Sequence, residues 1–319
     1  LGVGGFGAVF RADEVVADRR TRTIALKVFN PFQTPDLDTL IQEFQTTVQL
    51  RHPRLIETYA IEEGKLQGMM PALGLVMELA GEDLAKRLER GPLSEGDARV
   101  LVQQVAEALG FLHGRGIVHR DIKPHNIMAV GSGSDLSWKV GDLGIVRALG
   151  DKTTTVTMNR QGSPFYVPPE AYSGEVSAAM DIWALGVVLV QALTGQSPFP
   201  GPSEAEVMLQ VLNEAPRVPP LPDPFAVLVQ GCLRKSRPDR WTIPQILGAL
   251  NPGDPPVDSG LRSEVVTVAV VTGVNSFGRG ENRQFVKMTR WLEDLGGGVS
   301  LPLVRIPAGN FLMGSPDSE

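Results

Sequence analysis

The sequence predicts an α+β fold in which a small β-rich part comes first, a mostly helical part follows, and a short β-rich segment ends the chain. Near the N-terminus, residues 8–12 alternate between apolar and polar side chains like a half-buried strand, and residues 24–29 form a second strand-like run. Apolar residues then recur at the spacing of one helix face, at Leu101, Val105, Leu109 and Leu112. Residues 264–272 are again strand-like, which gives the chain its β-rich end.

The composition is that of an ordinary globular protein with more than one unit. The chain has 319 residues, which is long for one core, so we expect two units. A net charge of -6 gives no reason to expect nucleic acid as a partner. The lone Cys232 excludes an internal disulfide and a cysteine-rich metal site, and we expect a reducing cytoplasm.

Neither a membrane segment nor a leader is visible in the sequence. The longest apolar run covers residues 182–194 and is shorter than the ~20 residues that span a bilayer, so it predicts a buried helix. The chain begins at Leu1 inside a glycine-rich motif. We therefore expect it to be a piece of a longer protein, from which any leader would be missing.

Residues 119–126, followed sixteen residues later by Asp142, carry the chemistry that the sequence predicts. Two carboxylates, an amide and a lysine at this spacing suit phosphoryl transfer, in which a protein mainly orients a hydroxyl, holds a metal between phosphates and neutralises charge. Asp121 would accept the hydroxyl proton, and Lys123 would lie near the transferred group. Asn126 and Asp142 would hold the metal.

These residues resemble the catalytic loop H-R-D-x-K-x-x-N and the metal motif D-F-G of protein kinases, with Leu143 in place of Phe. The lysine at position 123 resembles serine/threonine rather than tyrosine kinases. The resemblance implies a bilobal fold over residues 1–250, with a β-rich small lobe at 1–79 and a mostly helical large lobe at 80–250. It also implies ATP and Mg2+ (or Mn2+) as cofactors and proteins as substrates.

The glycine-rich start fits G-x-G-x-x-G, a pattern that dinucleotide-binding folds share. A Rossmann glycine run opens a helix, whereas a strand follows here, then a polar turn at residues 18–22 and a strand that contains Lys27. We expect a hairpin that closes over phosphates, to which Lys27 supplies a positive charge. A tight turn with a solvated lysine is the alternative. The glycine-rich residues are Gly2, Val3, Gly4, Gly5, Phe6 and Gly7.

A helix is predicted from Pro35 to about Leu50, and Glu43 lies at the edge of its apolar stripe. A carboxylate that is partly buried there needs a cation. The resemblance to kinases implies that Lys27 is this cation, and an exposed helix glutamate is the alternative. Thr47 occupies a position where kinases usually have an apolar side chain, so the helix is expected to pack less firmly.

A buried strand at residues 75–79 leads into a connector that ends at Asp83. In kinases this connector is the hinge between the lobes, and its backbone binds adenine. The resemblance implies contacts with ATP from Met77 (back wall), Glu78 and Ala80 (backbone), Asp83 (ribose), and also Val9, Ala25 and Met128. Asp83 could instead be only the cap of a helix at residues 84–88.

A capping box at residues 94–97 begins the long helix that leads to the catalytic loop. His119 resembles the histidine that kinases bury in the core, and we prefer that role to a general base. Arg120 and Arg147 are expected to bind a phosphorylated residue of the loop at 145–162. The candidate phosphorylation sites are Thr153, Thr154, Thr155 and Thr157, which could also be simple loop composition.

Three later residues resemble structural positions of kinases. Residues 162–170 resemble G-T-P-x-Y-x-A-P-E, the segment that receives the substrate residue, and they end at Glu170. Asp181 resembles the buried aspartate that binds the backbone of the catalytic loop. Arg240 resembles the arginine that pairs with that glutamate, a buried pair whose disruption would cost several kcal/mol.

The C-terminal residues resemble another family. Residues 251–263 form a Pro/Gly-rich linker, and residues 264–319 begin a second domain. Residues 304–315 resemble V-x-I-P-x-G-x-F-x-M-G-S, the opening of formylglycine-generating-enzyme (sulfatase-modifying factor) domains with their C-type-lectin-like fold. This domain would be either catalytic or a binding module.

Together these features predict a non-specific serine/threonine protein kinase of the eukaryotic-like bacterial type that transfers the γ-phosphate of ATP to protein hydroxyls. A role in signalling, with autophosphorylation of the loop at 145–162, is expected. One alternative is a pseudokinase scaffold that binds nucleotide or partners without transfer. Another is a kinase that regulates the C-terminal domain.

Overall fold

The structure is a computed structural model that divides into two compact units, residues 1–253 and residues 254–319. In the first unit it describes residues 2–4, 7–29, 45, 47–66, 70–131, 133–142, 147–148 and 164–250. In the second unit it describes the backbone of three strands.

The small lobe is a five-stranded antiparallel sheet. Its strands are β1 (Gly2–Gly4), β2 (Gly7–Val16), β3 (Arg19–Phe29), β4 (Thr58–Leu66) and β5 (Met70–Met77), in the order β1-β2-β3-β5-β4. Buried side chains of Phe29, Leu73 and Leu75 form its core. Residues 47–49 are helical, and the rest of the predicted helix at 35–50, apart from residue 45 and Leu50, lies outside the described residues.

The hairpin of β2 and β3 is confirmed, but its predicted turn at residues 18–22 is wrong. The chain turns at Ala17 and Asp18, whose φ angles are 48° and 60°, and residues 19–22 already belong to β3. Exposed strands can carry charged residues when these pair across the ladder. Here Arg22 contacts the Glu14 carboxylate at 2.9 Å, which explains why a polar stretch is extended.

The large lobe is mostly helical, as predicted. Its helices are α1 (Leu84–Leu88), α2 (Glu95–His113), α3 (Ala179–Thr194), α4 (Glu204–Asn213), α5 (Phe225–Cys232) and α6 (Ile243–Leu250). Two short ladders lie between α2 and α3: β6 (Ile117–Val118) pairs with β9 (Arg147–Ala148), and β7 (Ile127–Val130) pairs with β8 (Ser137–Val140).

The two long helices form the centre of the large lobe. Ser94 caps α2, because its hydroxyl accepts a hydrogen bond from the Asp97 amide at 3.1 Å, as the capping-box pattern predicts. The predicted apolar run is α3, which is buried on most of its surface and includes the fully buried Trp183. In the part of the chain that the structure describes, no helix is both long and apolar enough to cross a membrane.

Gly186 lets α3 approach the end of α5 closely. A Cβ at this position would lie 2.6 Å from Cβ of Cys232 and 2.9 Å from Cδ2 of Leu233. We expect Gly186→Ala to lower the free energy of unfolding by about 1–3 kcal/mol, as overpacking does. Gly248→Ala in α6 is the matched control, since a Cβ there meets nothing within 4 Å. It should raise stability by about 0.5–1 kcal/mol. Equal urea midpoints for the two variants would contradict this packing.

Cys232 is buried, with 2% of its surface exposed. Burial outweighs the opposing effect of Arg240 and raises the pKa of the Cys232 thiol to about 12. The thiolate is the reactive form, so the native protein should resist iodoacetamide at pH 8 and react only when urea unfolds it. Labelling is followed by intact mass. Modification of the folded protein at the rate of a free thiol would show that this helix end is open.

The second unit contains an antiparallel sheet in the order β10-β11-β12. Its strands are β10 (Arg262–Val274), β11 (Gly280–Asp294) and β12 (Ser300–Val304). The predicted strand at 264–272 is therefore confirmed, while β10 begins inside the predicted linker of residues 251–263. The rest of that linker and residues 305–319 lie outside the described residues.

Candidate active site

Lys27 and Asp142 are in contact although 115 positions separate them in the sequence. Lys27 lies in β3 of the small lobe, and Asp142 follows β8 of the large lobe. The Lys27 ammonium donates to Oδ1 of Asp142. The lysine side chain is 14% exposed and the aspartate side chain 36% exposed, so the pair lies at the edge of a cleft.

The electrostatic setting keeps Asp142 ionised. Burial opposes its charge, but the Lys27 ammonium outweighs this effect and holds the pKa of Asp142 below its ordinary value. Its backbone has a φ angle of 61°, in the left-handed region that non-glycine residues adopt mainly where surrounding contacts impose it. The conformation and the charge of Asp142 are thus both set by the fold.

The loop at residues 119–126 forms a second polar cluster around Asp121. Oδ2 of Asp121 accepts hydrogen bonds from Nζ of Lys123 at 2.7 Å and from Nδ2 of Asn126 at 2.8 Å. The same Asn126 amide donates to the Asp121 backbone carbonyl at 2.7 Å. A short 3-10 turn at Pro124–Asn126 returns the chain towards Asp121 and makes these contacts possible. In the described part of the chain, neither of these side chains donates to Oδ1 of Asp121.

Asp181 in α3 binds the backbone of the loop at residues 119–126. Its buried carboxylate accepts the amides of His119 at 2.9 Å and Arg120 at 2.8 Å, while Arg120 has a φ angle of 68°. The ring of His113 at the end of α2 lies 2.8 Å from the same carboxylate, a contact that the sequence did not indicate. The hydrogen bonds from the two backbone amides to the charged Asp181 carboxylate stabilise the left-handed backbone conformation of Arg120, which is otherwise unfavourable.

His119 joins the two polar clusters. Its ring is buried, with Nε2 placed 3.0 Å from the Gly141 carbonyl and Nδ1 accepting the Asp121 amide at 3.3 Å. Both ring nitrogens are therefore engaged with backbone groups, which is the core position expected for this histidine. His119 therefore links Gly141, the residue before Asp142, to Asp121.

A pocket lies beside the pair of Lys27 and Asp142. Its other lining residues are Thr47, Ile56, Thr58, Leu75 and Met77. Apolar walls with few polar groups are typical of small-molecule sites. The sequence indicated only Met77 and the two charged residues. Ile56, Thr58 and Leu75 come from the segment before β4 and from the sheet, and Thr47, which the sequence marked only for helix packing, lies among the helical residues 47–49.

Several other residues expected to contact ATP can be placed on the elements of the fold, and their contact with the nucleotide stays a prediction. Val9 in β2 pairs with Lys27, and Ala25 in β3 is buried opposite Met77. Met128 lies in β7 and forms a bridge with Asp83. Gly2, Val3 and Gly4 form β1, of which the structure describes the backbone, and Gly7 begins β2.

Asp83 is the N-cap of α1, as the sequence pattern allowed. Its Oδ1 accepts the Lys86 amide at 2.7 Å. The connector is held on the large lobe by backbone bonds, since the Gly81 amide donates to the Ala129 carbonyl at 2.8 Å. A contact of Asp83 with ribose stays a prediction.

The buried pair expected late in the chain is present. The Arg240 guanidinium makes two hydrogen bonds to Glu170, one of them 3.0 Å long, and also donates to the Ala179 carbonyl at 2.9 Å. The side chain of Arg240 is 0% exposed and that of Glu170 is 9% exposed. The pair fixes the segment after Pro168 to the start of α3.

Several predicted residues cannot be placed. Glu43, Gly5, Phe6 and the four threonines at 153, 154, 155 and 157 lie outside the described residues. Arg147 is described in its backbone only, where it pairs with Val118. Arg120 lines a small pocket with Asp121 and Tyr166, next to the segment expected to receive the substrate.

Comparison with known proteins agrees with this geometry. Residues 1–249 match the family described as "Protein kinase domain". The chain is similar to the serine/threonine-protein kinase PkaA of Streptomyces coelicolor, with 35% identity over 75% of this chain and 46% of that protein. It is also similar to the serine/threonine-protein kinase PknA of Mycobacterium tuberculosis, with 35% identity over 70% of this chain and 51% of that protein.

A third relative is the serine/threonine-protein kinase PknA of Corynebacterium glutamicum, with 36% identity over 68% of this chain and 46% of that protein. The chain spans about half the length of these relatives. The family match covers the five-stranded sheet, residues 119–126 and, apart from Leu250, the helices α1 to α6 described above. The chain therefore belongs to the protein kinase family.

Proposed function

We propose that the chain is a serine/threonine protein kinase that transfers the γ-phosphate of ATP to hydroxyls of protein substrates. The observation that carries this proposal is the contact of Lys27 with Asp142 beside the cluster of Asp121, Lys123 and Asn126. Charges from both lobes are thereby available to one nucleotide. Family membership and the named relatives support the same reaction.

Asp121 orients the attacking hydroxyl and takes up its proton. The Asp121 oxygen Oδ1 is left over by the contacts with Lys123 and Asn126, so a serine or threonine hydroxyl can donate to it. As the oxygen attacks phosphorus, negative charge grows on the transferred group. Lys123, at 2.7 Å from the other carboxylate oxygen, lies close enough to stabilise this charge.

The donor set fits Mg2+ or Mn2+. Hard divalent cations take oxygen ligands, and Mg2+ is usually bound by one or two protein oxygens together with substrate phosphates. The Asp142 carboxylate and the Asn126 amide are oxygen donors of this kind, and the lowered pKa of Asp142 keeps it in the charged form. When bound, the metal would neutralise phosphate charge. Asn126 also holds Asp121 in place.

The nucleotide is proposed to lie between the glycine-rich start and the connector. Lys27 would bind its phosphates, while Val9, Ala25, Met77 and Met128 would enclose the base. The Glu78 carbonyl and the Ala80 amide would bind the adenine edge. Glu43 is proposed as a partner of Lys27, and Arg120 with Arg147 as the site for a phosphorylated threonine at 153, 154, 155 or 157.

Two further features are also proposed. The single cysteine of the sequence supports a reducing cytoplasmic setting. The motif at residues 304–315 supports a formylglycine-generating-enzyme-like second domain that begins with the strands β10 to β12.

The reaction is tested by incubating the protein with [γ-32P]ATP, Mg2+ and a generic basic protein. The account predicts label on the acceptor protein, stable to acid hydrolysis as phosphoserine or phosphothreonine. Omission of the divalent cation should abolish it. Label that appears only as free phosphate, or only as phosphotyrosine, would refute the proposed activity.

A further inference from the structure

A largely buried ion pair joins the connector to the strand that leads to Asp142. The ammonium of Lys139 in β8 lies 2.7 Å from Oε1 and 2.9 Å from Oε2 of Glu78, the first residue after β5. The two side chains are 18% and 17% exposed. Neither residue of this pair takes part in the chemistry proposed above through its side chain.

The segment that precedes β4 also binds Glu78. Its Oε2 accepts the Glu57 amide at 3.2 Å, and its own amide donates to the Glu57 carbonyl at 2.8 Å. The side chain and the amide of Glu78 are therefore both engaged on one side. The backbone carbonyl remains the group that it can offer to a ligand.

Lys139 is the rigid side of the pair. Its neighbours Trp138 and Val140 are buried, and its backbone pairs with Met128 in β7. The Val140 amide donates to the Arg54 carbonyl at 2.8 Å, so the same strand also anchors the segment before β4. β8 thus holds the connector directly through Lys139 and indirectly through the segment before β4.

Removing the Lys139 side chain and removing the Glu78 side chain are expected to have unequal effects. A carboxylate that loses its cation in a mostly buried site is strongly destabilised, whereas a lysine can move its ammonium towards water. Without Lys139, the Glu78 side chain would have to turn outward. This movement would pull on the backbone of residue 78 and would disturb the carbonyl that is proposed to face adenine.

We infer that Lys139 is a positioning residue for the nucleotide base: its ion pair with Glu78 holds the connector so that the Glu78 carbonyl and the Ala80 amide face the adenine edge. The inference rests on the proposed function and deepens it. It assigns part of the affinity for ATP to a side chain that does not touch the nucleotide.

Adenosine is the probe that tests this inference, because it carries the base without phosphates and needs no metal. Binding to the folded protein is measured by isothermal titration calorimetry. Lys139→Met is expected to weaken adenosine binding about tenfold, while Lys139→Arg, which keeps the charge, stays within about threefold of the wild type. In steady-state assays Lys139→Met should raise KM for ATP without changing kcat.

A second substitution gives the signature of the buried charge. Glu78→Gln keeps an acceptor for the Glu57 amide but carries no charge, so adding it to Lys139→Met should restore part of the lost affinity for adenosine. A double variant that binds better than its parent single variant is the expected result. A double variant that binds equally or more weakly would overturn the inference.

Arg54→Met is the matched control for general destabilisation. The Arg54 side chain pairs with Glu107 at 2.8 Å and donates to the Ser137 hydroxyl at 2.7 Å, and 27% of it is exposed. None of its contacts among the described residues reaches the connector. This variant should lower Tm but leave the Kd for adenosine unchanged. If Lys139→Met likewise changed only Tm, Lys139 would be merely structural and the inference would fall, although the label-transfer assay could still support a kinase.

Discussion

Asp121→Asn is expected to lower the rate of phosphoryl transfer about 10³-fold, the size of effect that loss of a general base produces. The amide keeps the shape of the side chain and one oxygen for the contacts with Lys123 and Asn126. It cannot take up the hydroxyl proton. Single-turnover measurements with [γ-32P]ATP separate this step from nucleotide binding.

The affinity for ADP and Mg2+ provides the control for the Asp121 variant. Asp121 is not among the described residues that line the pocket beside Lys27 and Asp142, so Kd for ADP should stay within about threefold of the wild type. A variant that transfers phosphate at more than a tenth of the wild-type rate would show that another group serves as the base. A variant that no longer binds ADP would indicate that the loop has collapsed.

Arg240→Met is expected to lower the free energy of unfolding of the first unit by about 3–5 kcal/mol. The substitution leaves Glu170 as a carboxylate with 9% exposure and without its cation. It also removes the hydrogen bond to the Ala179 carbonyl at the start of α3. Urea denaturation followed by far-UV circular dichroism measures the change.

Arg237→Met tests whether burial is the cause of this loss. Arg237 pairs with Glu175 at 3.0 Å, but the two side chains are 45% and 53% exposed. Exposed pairs contribute about 0–1 kcal/mol, so this nearby variant should be almost neutral. Similar losses for Arg237→Met and Arg240→Met would contradict the explanation from burial.

Local patterns predicted the elements that depend on local physics. The serine at position 94 begins α2 because a hydroxyl can cap a free amide, and the apolar run at 182–194 becomes the buried α3 because no face of it tolerates water. The hairpin of β2 and β3 follows from the alternation of apolar and polar side chains that begins at residues 8–12. The turn within it was misplaced, because cross-strand ion pairs such as Arg22 with Glu14 allow charged residues to stay extended.

The candidate site likewise contains residues that the sequence could indicate and contacts that it could not. Lys27, Asp121, Asn126 and Asp142 could be selected from the sequence because their chemical types at their spacing suit phosphoryl transfer. Their contacts could not be derived from it, since they depend on how the sheet meets the large lobe. For Glu78, the sequence indicated only backbone groups, and its ion pair with Lys139 depends on the connector meeting β8, 61 positions further along the chain.

Residues without chemistry of their own were missed for a different reason. Thr58, Ile56 and Leu75 line the pocket beside Lys27, yet each is an ordinary residue of a sheet or of the segment before it. His113 is the last residue of α2, and only the position of α3 brings Asp181 within 2.8 Å of its ring. Such roles arise from tertiary contacts, which no short pattern in the chain records.

A double-mutant cycle on Lys27 and Asp142 tests most directly whether two distant residues act on one nucleotide. Rates of γ-phosphate transfer are measured for the wild type, Lys27→Met, Asp142→Asn and the double variant. Each single change should slow transfer at least about 100-fold. The double variant should be little slower than the slower single variant, because the effects of substitutions at residues that act together in one site do not add. Losses that multiply, or a single variant that transfers phosphate at the wild-type rate, would contradict a shared site.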